Sequence, residues 1–229
     1  MKKTIVVVTL ALGLVLAGAV TVQAAGTIKG RASFTGVAPA MPMLTKQADP
    51  FCAKSPTKDE EVVVNANGTL KNVVVRVVKG APKGAVPAQA VVLDQNGCSY
   101  KPRVLAVVAG QKVLIRNSDP VLHNVHSYQG AATGFNQAMF KGMKDLEKTF
   151  PLGATKFKCD VHPWMTAWVV GNENPFFAAT GETGEFTIGN LPAGTYTLEA
   201  WHEKYGIQTK DLTVAEGQTV DASFTFGAK

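Results

Sequence analysis

The apolar positions of this chain fall in short β-branched runs rather than in helical stripes. Val62-Val63-Val64, Val73 to Val78, Ala90 to Leu93, Val104 to Val108 and Val113 to Ile115 are such runs in the first half. Asn67-Gly68, Lys79-Gly80, Asn96-Gly97 and Ala109-Gly110 separate them as turn signals. The second half continues with Thr155 to Cys159, Ala167 to Val170, Glu185 to Ile188, Thr195 to Trp201, Thr209 to Val214 and Val220 to Phe226. No segment sustains an apolar period of about 3.6 residues. Gln137 to Lys148 is the best helical candidate, and Gly142 weakens it. The expected class is therefore all-β, and the length favours two β-sandwich units over one.

The N-terminus differs from this pattern. Lys2 and Lys3 precede an uncharged apolar stretch, Ile5 to Val20, and Val22-Gln23-Ala24 resembles a small-residue cleavage site. Residues 1–24 read as a secretory signal peptide, with export to the periplasm or beyond. An uncleaved N-terminal anchor is the competing reading, but the run is short for a span of about 20 residues. No Cys follows it to carry a lipid, and no later stretch is apolar enough to cross a bilayer. Loss of Lys2 and Lys3 lowers the formal charge from +6 to +4. The remaining cations are scattered and not interleaved with aromatics, so no nucleic-acid surface is expected.

The densest chemistry lies in Cys159-Asp160-Val161-His162-Pro163-Trp164-Met165. A thiolate, an imidazole and a thioether fall on one loop after a strand-like run. His123 and His126 offer a further imidazole upstream. Two His and one Cys in a trigonal plane, with a distant axial Met, form the donor set of a blue-copper electron-transfer site. Structural zinc favours paired Cys or His spacings, so copper suits this set better. Three Cys entering an oxidising space leave two to pair. With Cys159 in the metal motif, Cys52 and Cys98 form the expected disulfide; a bridge using Cys159 would remove the thiolate.

From about Ala90 to Gly171 the chain resembles a cupredoxin of the amicyanin and plastocyanin type. The matching parts are Val107-Val108-Ala109-Gly110-Gln111-Lys112-Val113, Asn117, Pro120-Val121-Leu122-His123-Asn124-Val125-His126, Phe150-Pro151-Leu152-Gly153, and Cys159 to Met165. The resemblance implies a Greek-key sandwich holding one type 1 copper on His123, Cys159, His162 and Met165. It also implies that the Asn124 N–H donates to the Cys159 sulfur. His126, three residues from His123, would face the other side of a regular strand. In the same picture the edge of His162 lies at the surface among apolar side chains, and redox partners dock near His162, Pro163 and Trp164. Trp164 and Trp168 packing into the sandwich end is the competing reading for the two tryptophans.

A second resemblance covers Thr180 to Leu198, whose Gly184-Glu185-Phe186-Thr187-Ile188 and Leu191-Pro192-Ala193-Gly194-Thr195-Tyr196 are similar to the carboxypeptidase regulatory-like, transthyretin-like sandwich. Gly26-Thr27-Ile28-Lys29-Gly30-Arg31-Ala32 fits the first strand of such a module. The expected division is residues 26–87 with 172–229 as one sandwich and 88–171 as an inserted cupredoxin. A linear order is the alternative. Pairing of the N-terminal strand with Thr195 to Trp201 or Val220 to Phe226 separates the two. Trp201 to Gly206 reads as a polar, aromatic loop, a structural edge or a partner surface.

These features imply an exported one-electron carrier cycling Cu(II)/Cu(I), and not an enzyme, because side chains fill every coordination position. The alternative is a copper-binding or partner-docking module without a dedicated electron-transfer role.

Overall fold

The computed structural model describes residues 24–47 and 49–227, so the expected leader falls outside it except for Ala24. Seventeen strands, numbered in chain order, make four sheets among these residues. One sheet runs β13 (Glu185–Leu191), β1 (Gly26–Thr35), β16 (Thr219–Asp221), with β17 (Phe224–Gly227) also on β1. A second runs β12 (Phe177–Ala179), β2 (Val74–Lys79), β14 (Gly194–His202), β15 (Gly206–Val214). A third runs β5 (Val104–Val108), β11 (Thr166–Asn172), β10 (Gly153–Lys158), β7 (His123–Gln129), β8 (Ala132–Met139). The fourth runs β4 (Tyr100–Lys101), β3 (Val91–Gln95), β6 (Lys112–Asn117), β9 (Leu146–Thr149).

Alternation along the strands decides which faces meet. In β14 the buried side chains are Tyr196, Leu198, Ala200 and His202; in β13 they are Phe186, Ile188 and Leu191. All but His202 join Ile28 and Ala32 of β1, Val75 and Val77 of β2, and Phe224 and Phe226 of β17 in one apolar core. β1 is antiparallel to β13 but parallel to β16 and β17, with Ala32 opposite Phe224. A separate core gathers Leu93, Val107, Val113, Ile115, Val125, Phe157 and Val169 from the other two sheets, together with Cys52, Cys98, Cys159 and Met165.

The two cores meet across a small seam of Val74, Val104 and Val170, where the Trp168 and Trp201 rings lie edge to face at 5.4 Å. Both tryptophans are half-buried, and Trp168 Nε1–H donates to Glu203 at 2.9 Å. Arg103, nearly buried, ties the seam by pairing with Glu203 and, at 3.2 Å, with Asp59. Burial alone would lower the Arg103 pKa, but Glu203 and then Asp59 raise it above its ordinary value.

Two expectations are corrected. Gln137 to Lys148 is not helical: it ends β8, turns, and enters β9. Gly142 sits at φ +76 in that turn, a left-handed value that favours glycine. Pairing with β7 outweighs the weak helical propensity there. Val62-Val63-Val64 is no full strand either; only Val64 makes an isolated bridge, to Leu70.

Candidate metal centre

β7 begins at His123 and alternates His123, Val125 and Ser127 inward against Asn124, His126 and Tyr128 outward. The loop after β10 carries Cys159 and His162, and Met165 closes it just before β11. A backbone bond from Met165 N–H to the His162 carbonyl, 2.9 Å, tightens this loop. The two segments bring His123, Cys159 and His162 together with their ligand atoms all within 4.8 Å of one another. Exposure of the three is 0%, 1% and 2%. Met165 is buried in the same core.

The rings have a definite orientation. His123 Nδ1 lies 2.9 Å from His162 Nδ1, which is 3.7 Å from Cys159 Sγ. His123 Nε2 faces away, 2.8 Å from Asp119 Oδ2. Donation from Nε2–H to that carboxylate leaves Nδ1 as a lone-pair acceptor. Two ring nitrogens and a sulfur thus converge on one point, a donor set suited to a copper or zinc ion. The backbone N–H groups of Asn124 and His162 each donate to Cys159 Sγ at 3.3 Å.

These contacts shift the acids and bases. Burial pushes the Cys159 thiol up, but His123 and the N–H groups of Asn124, His162 and Val161 outweigh it, so its pKa lies below the ordinary value. Burial lowers His123, yet Asp119 and Cys159 raise it overall. His162 is lowered, first by burial and then by the charge of His123, with Asp49 opposing. Asp119 is lowered: burial opposes ionisation, and His123 with two backbone N–H groups overcomes it.

The surface position expected for His162 is overturned. The turn Asp49 to Cys52 covers its outer edge, with Asp49 Oδ2 at 3.6 Å and Cys52 Sγ at 3.7 Å from Nε2. Cys52 is bonded to Cys98, with S–S 1.98 Å, and both are fully buried, while Cys159 is free. Trp164 is half-buried against the His162 ring at 5.0 Å, and its Nε1–H donates to the Cys98 carbonyl. Pro163 and Val161 remain exposed. His126 stays on the far face, held by Asp160, Tyr128 and Asn136.

Asp49 and Asp119 are the two site residues that motif reading passed over. Asp119 carried a usable signal, four residues before His123 on the Asn117 to Pro120 turn. Asp49 carried none, because only the folded chain brings it to His162.

The family profile of the carboxypeptidase regulatory-like domain matches residues 169–227. No curated protein matches the chain. Among solved structures the chain is similar to amicyanin from Paracoccus versutus, at 24% identity over 43% of this chain and 97% of that one, TM-score 0.34. A purple cupredoxin from Nitrosopumilus maritimus aligns at 24% identity over 36% of this chain and 98% of its own, TM-score 0.32. A copper-containing nitrite reductase from Thermus scotoductus aligns at 24% identity over 43% of this chain but only 25% of its own, TM-score 0.35. The chain is all-β, and its C-terminal part, residues 169–227, matches the carboxypeptidase regulatory-like domain.

Proposed function

We propose that the chain is an exported type 1 copper protein that carries single electrons between partner proteins. The observation that carries this reading is the convergence of Cys159 Sγ and the two histidine Nδ1 atoms at a buried point. His123 and His162 would hold the ion through Nδ1 and Cys159 through its thiolate. Met165, buried in the same core, would offer its thioether as a further donor. A copper ion held by this set supplies a one-electron Cu(II)/Cu(I) couple. The N–H groups of Asn124 and His162 hold the thiolate charge without competing for the metal. Burial of all four side chains excludes water, so little would reorganise as charge changes.

Because His162 is covered, partners would approach its exposed neighbours Val161 and Pro163, and electrons would cross the thin Asp49 to Cys52 turn. The leader over residues 1–24 and the disulfide fit a periplasmic or otherwise oxidising setting. Pairing of β1 with β13, β16 and β17 supports a discontinuous regulatory-like sandwich with the copper-binding unit inserted.

One observation favours the alternative of a binding module. A groove of about 1000 Å³ is lined by residues that include Met41, Leu44, Val63, Trp164 and Met165. A ligand there would touch the metal loop without needing electron exchange.

Titration of the metal-free protein with Cu(II) tests the copper reading. An intense visible band saturating at one copper per chain supports it, and Cys159→Ser should abolish the band. Rapid reversible reduction by a one-electron donor favours the carrier; a blue protein that exchanges no electrons favours the binding module.

A further inference from the structure

Behind both imidazoles stands a carboxylate, and one disulfide joins the two. Asp119 Oδ2 accepts from His123 Nε2 and, at 2.8 Å, from the Cys98 N–H; its Oδ1 accepts from the Gly97 N–H at 2.7 Å. Asp49 Oδ1 accepts from the N–H groups of Phe51 and Cys52, at 2.7 and 3.2 Å, while Oδ2 turns toward His162 Nε2. Cys52 and Cys98 are the bonded pair between these turns, 46 residues apart in sequence. Lys46 Nζ donates to the Gly97 carbonyl, and Trp164 to that of Cys98, so the frame is held from outside as well.

We infer that Asp49–Cys52–Cys98–Asp119 is an outer clasp that positions both metal-binding imidazoles, with Asp49 and Asp119 as positioning residues. This rests on the copper reading above. Asp119, hydrogen-bonded to the outer nitrogen of His123, fixes its tautomer, orients the ring and makes its inner nitrogen a better donor, while Asp49, at 3.6 Å, acts on His162 through its charge. Two anionic groups beyond the rings also favour the more highly charged metal state, because Coulomb attraction grows with the charge of the ion. The disulfide sets where Asp49 sits: its turn is local, and the S–S bond is its covalent tie to the loop that carries Gly97 and Cys98. The clasp therefore favours Cu(II) and holds the reduction potential down.

The test uses the full mature chain, with Asp119→Asn, Asp49→Asn and the double variant Cys52→Ser/Cys98→Ser. Copper affinity and midpoint potential are measured on the copper-loaded proteins, and histidine ring tautomers by nitrogen-15 NMR on the metal-free ones. Asp119→Asn should weaken Cu(II) binding about 10- to 100-fold. It should raise the potential by about 59 mV for each tenfold loss of preference for Cu(II) over Cu(I). Asp49→Asn should shift both in the same direction but less, since its oxygen is farther from the ring. The double serine variant should reproduce the Asp49→Asn shift with Asp49 intact.

Copper affinities within twofold of the parent and unshifted potentials for both carboxylate variants would overturn the inference. If the double serine variant does not fold, the two carboxylate variants decide alone. If the parent binds no copper, the copper reading fails, and NMR decides the positioning claim. His123 protonated on Nε2 in the parent, with that preference weakened in Asp119→Asn, upholds it. A parent His123 protonated on Nδ1 refutes it.

Discussion

Each sandwich buries a histidine completely, and the two are treated in opposite ways. His123 on β7 has Asp119 on one ring nitrogen and His162 with Cys159 beyond the other. His202 in the regulatory-like unit accepts one bond, from the Lys204 N–H at 3.1 Å, and its Nε2 has no partner among the described residues. Burial, and then the charge of Arg103, push the His202 pKa down to about 4, so it is a neutral ring stacked on Tyr205. His123 is instead raised. A buried imidazole alone is thus packing; a carboxylate on one nitrogen with a second imidazole and a sulfur beyond the other turns it into a candidate ligand.

The largest effect expected is on the metal. Cys159→Ser should abolish the blue chromophore while leaving the far-ultraviolet β signal intact, since the substitution changes one buried atom. A retained blue band would break the contrast at its root.

The next effect belongs to the other core. Leu198 is fully buried in the regulatory-like sandwich, and Leu198→Ala should cost about 2–5 kcal/mol of stability in denaturant unfolding. The copper spectrum of the folded variant should not change. A changed spectrum would mean that the two cores act as one.

His202 gives a pH-dependent test. Its folded pKa, about 4, lies below the value of about 6.5 in an unfolded chain. Between these values the unfolded state binds more protons, so the stability that a neutral His202 allows is full above about pH 6.5 and lost as pH falls toward 4. The full shift corresponds to about 3 kcal/mol. His202→Phe should remove that slope from a plot of unfolding free energy against pH, with little change at pH 8. An unaltered slope would show that His202 is not a titrating burden.

The smallest effect expected is on the exposed face of the β1–β13 pair. Arg31 and Glu185 pair at 2.8 Å with side chains more than half exposed. Arg31→Ala should change stability by about 0–1 kcal/mol, less at high salt. A larger loss would assign this face a role that the apolar core does not.

Much of this was legible in the chain. Period-two alternation in β13 and β14 announces half-buried strands before any coordinates. The close spacing of Cys159, His162 and Met165 announces a shared loop. What was not legible depends on contacts distant in sequence. The helical expectation at Gln137 to Lys148 failed because β7 supplies an edge that local propensity does not know about. The covered state of His162 was missed because Asp49 and Cys52 lie 113 and 110 residues upstream, in a bend and a single 3-10 turn, where no periodicity marks their destination.

The most direct measurement is X-ray absorption at the copper edge of the stoichiometrically loaded chain. The account predicts a first coordination sphere with a single short sulfur bond and two imidazole nitrogens, the sulfur vanishing in Cys159→Ser. A sphere of nitrogen and oxygen alone, or one with two short sulfurs, would contradict it.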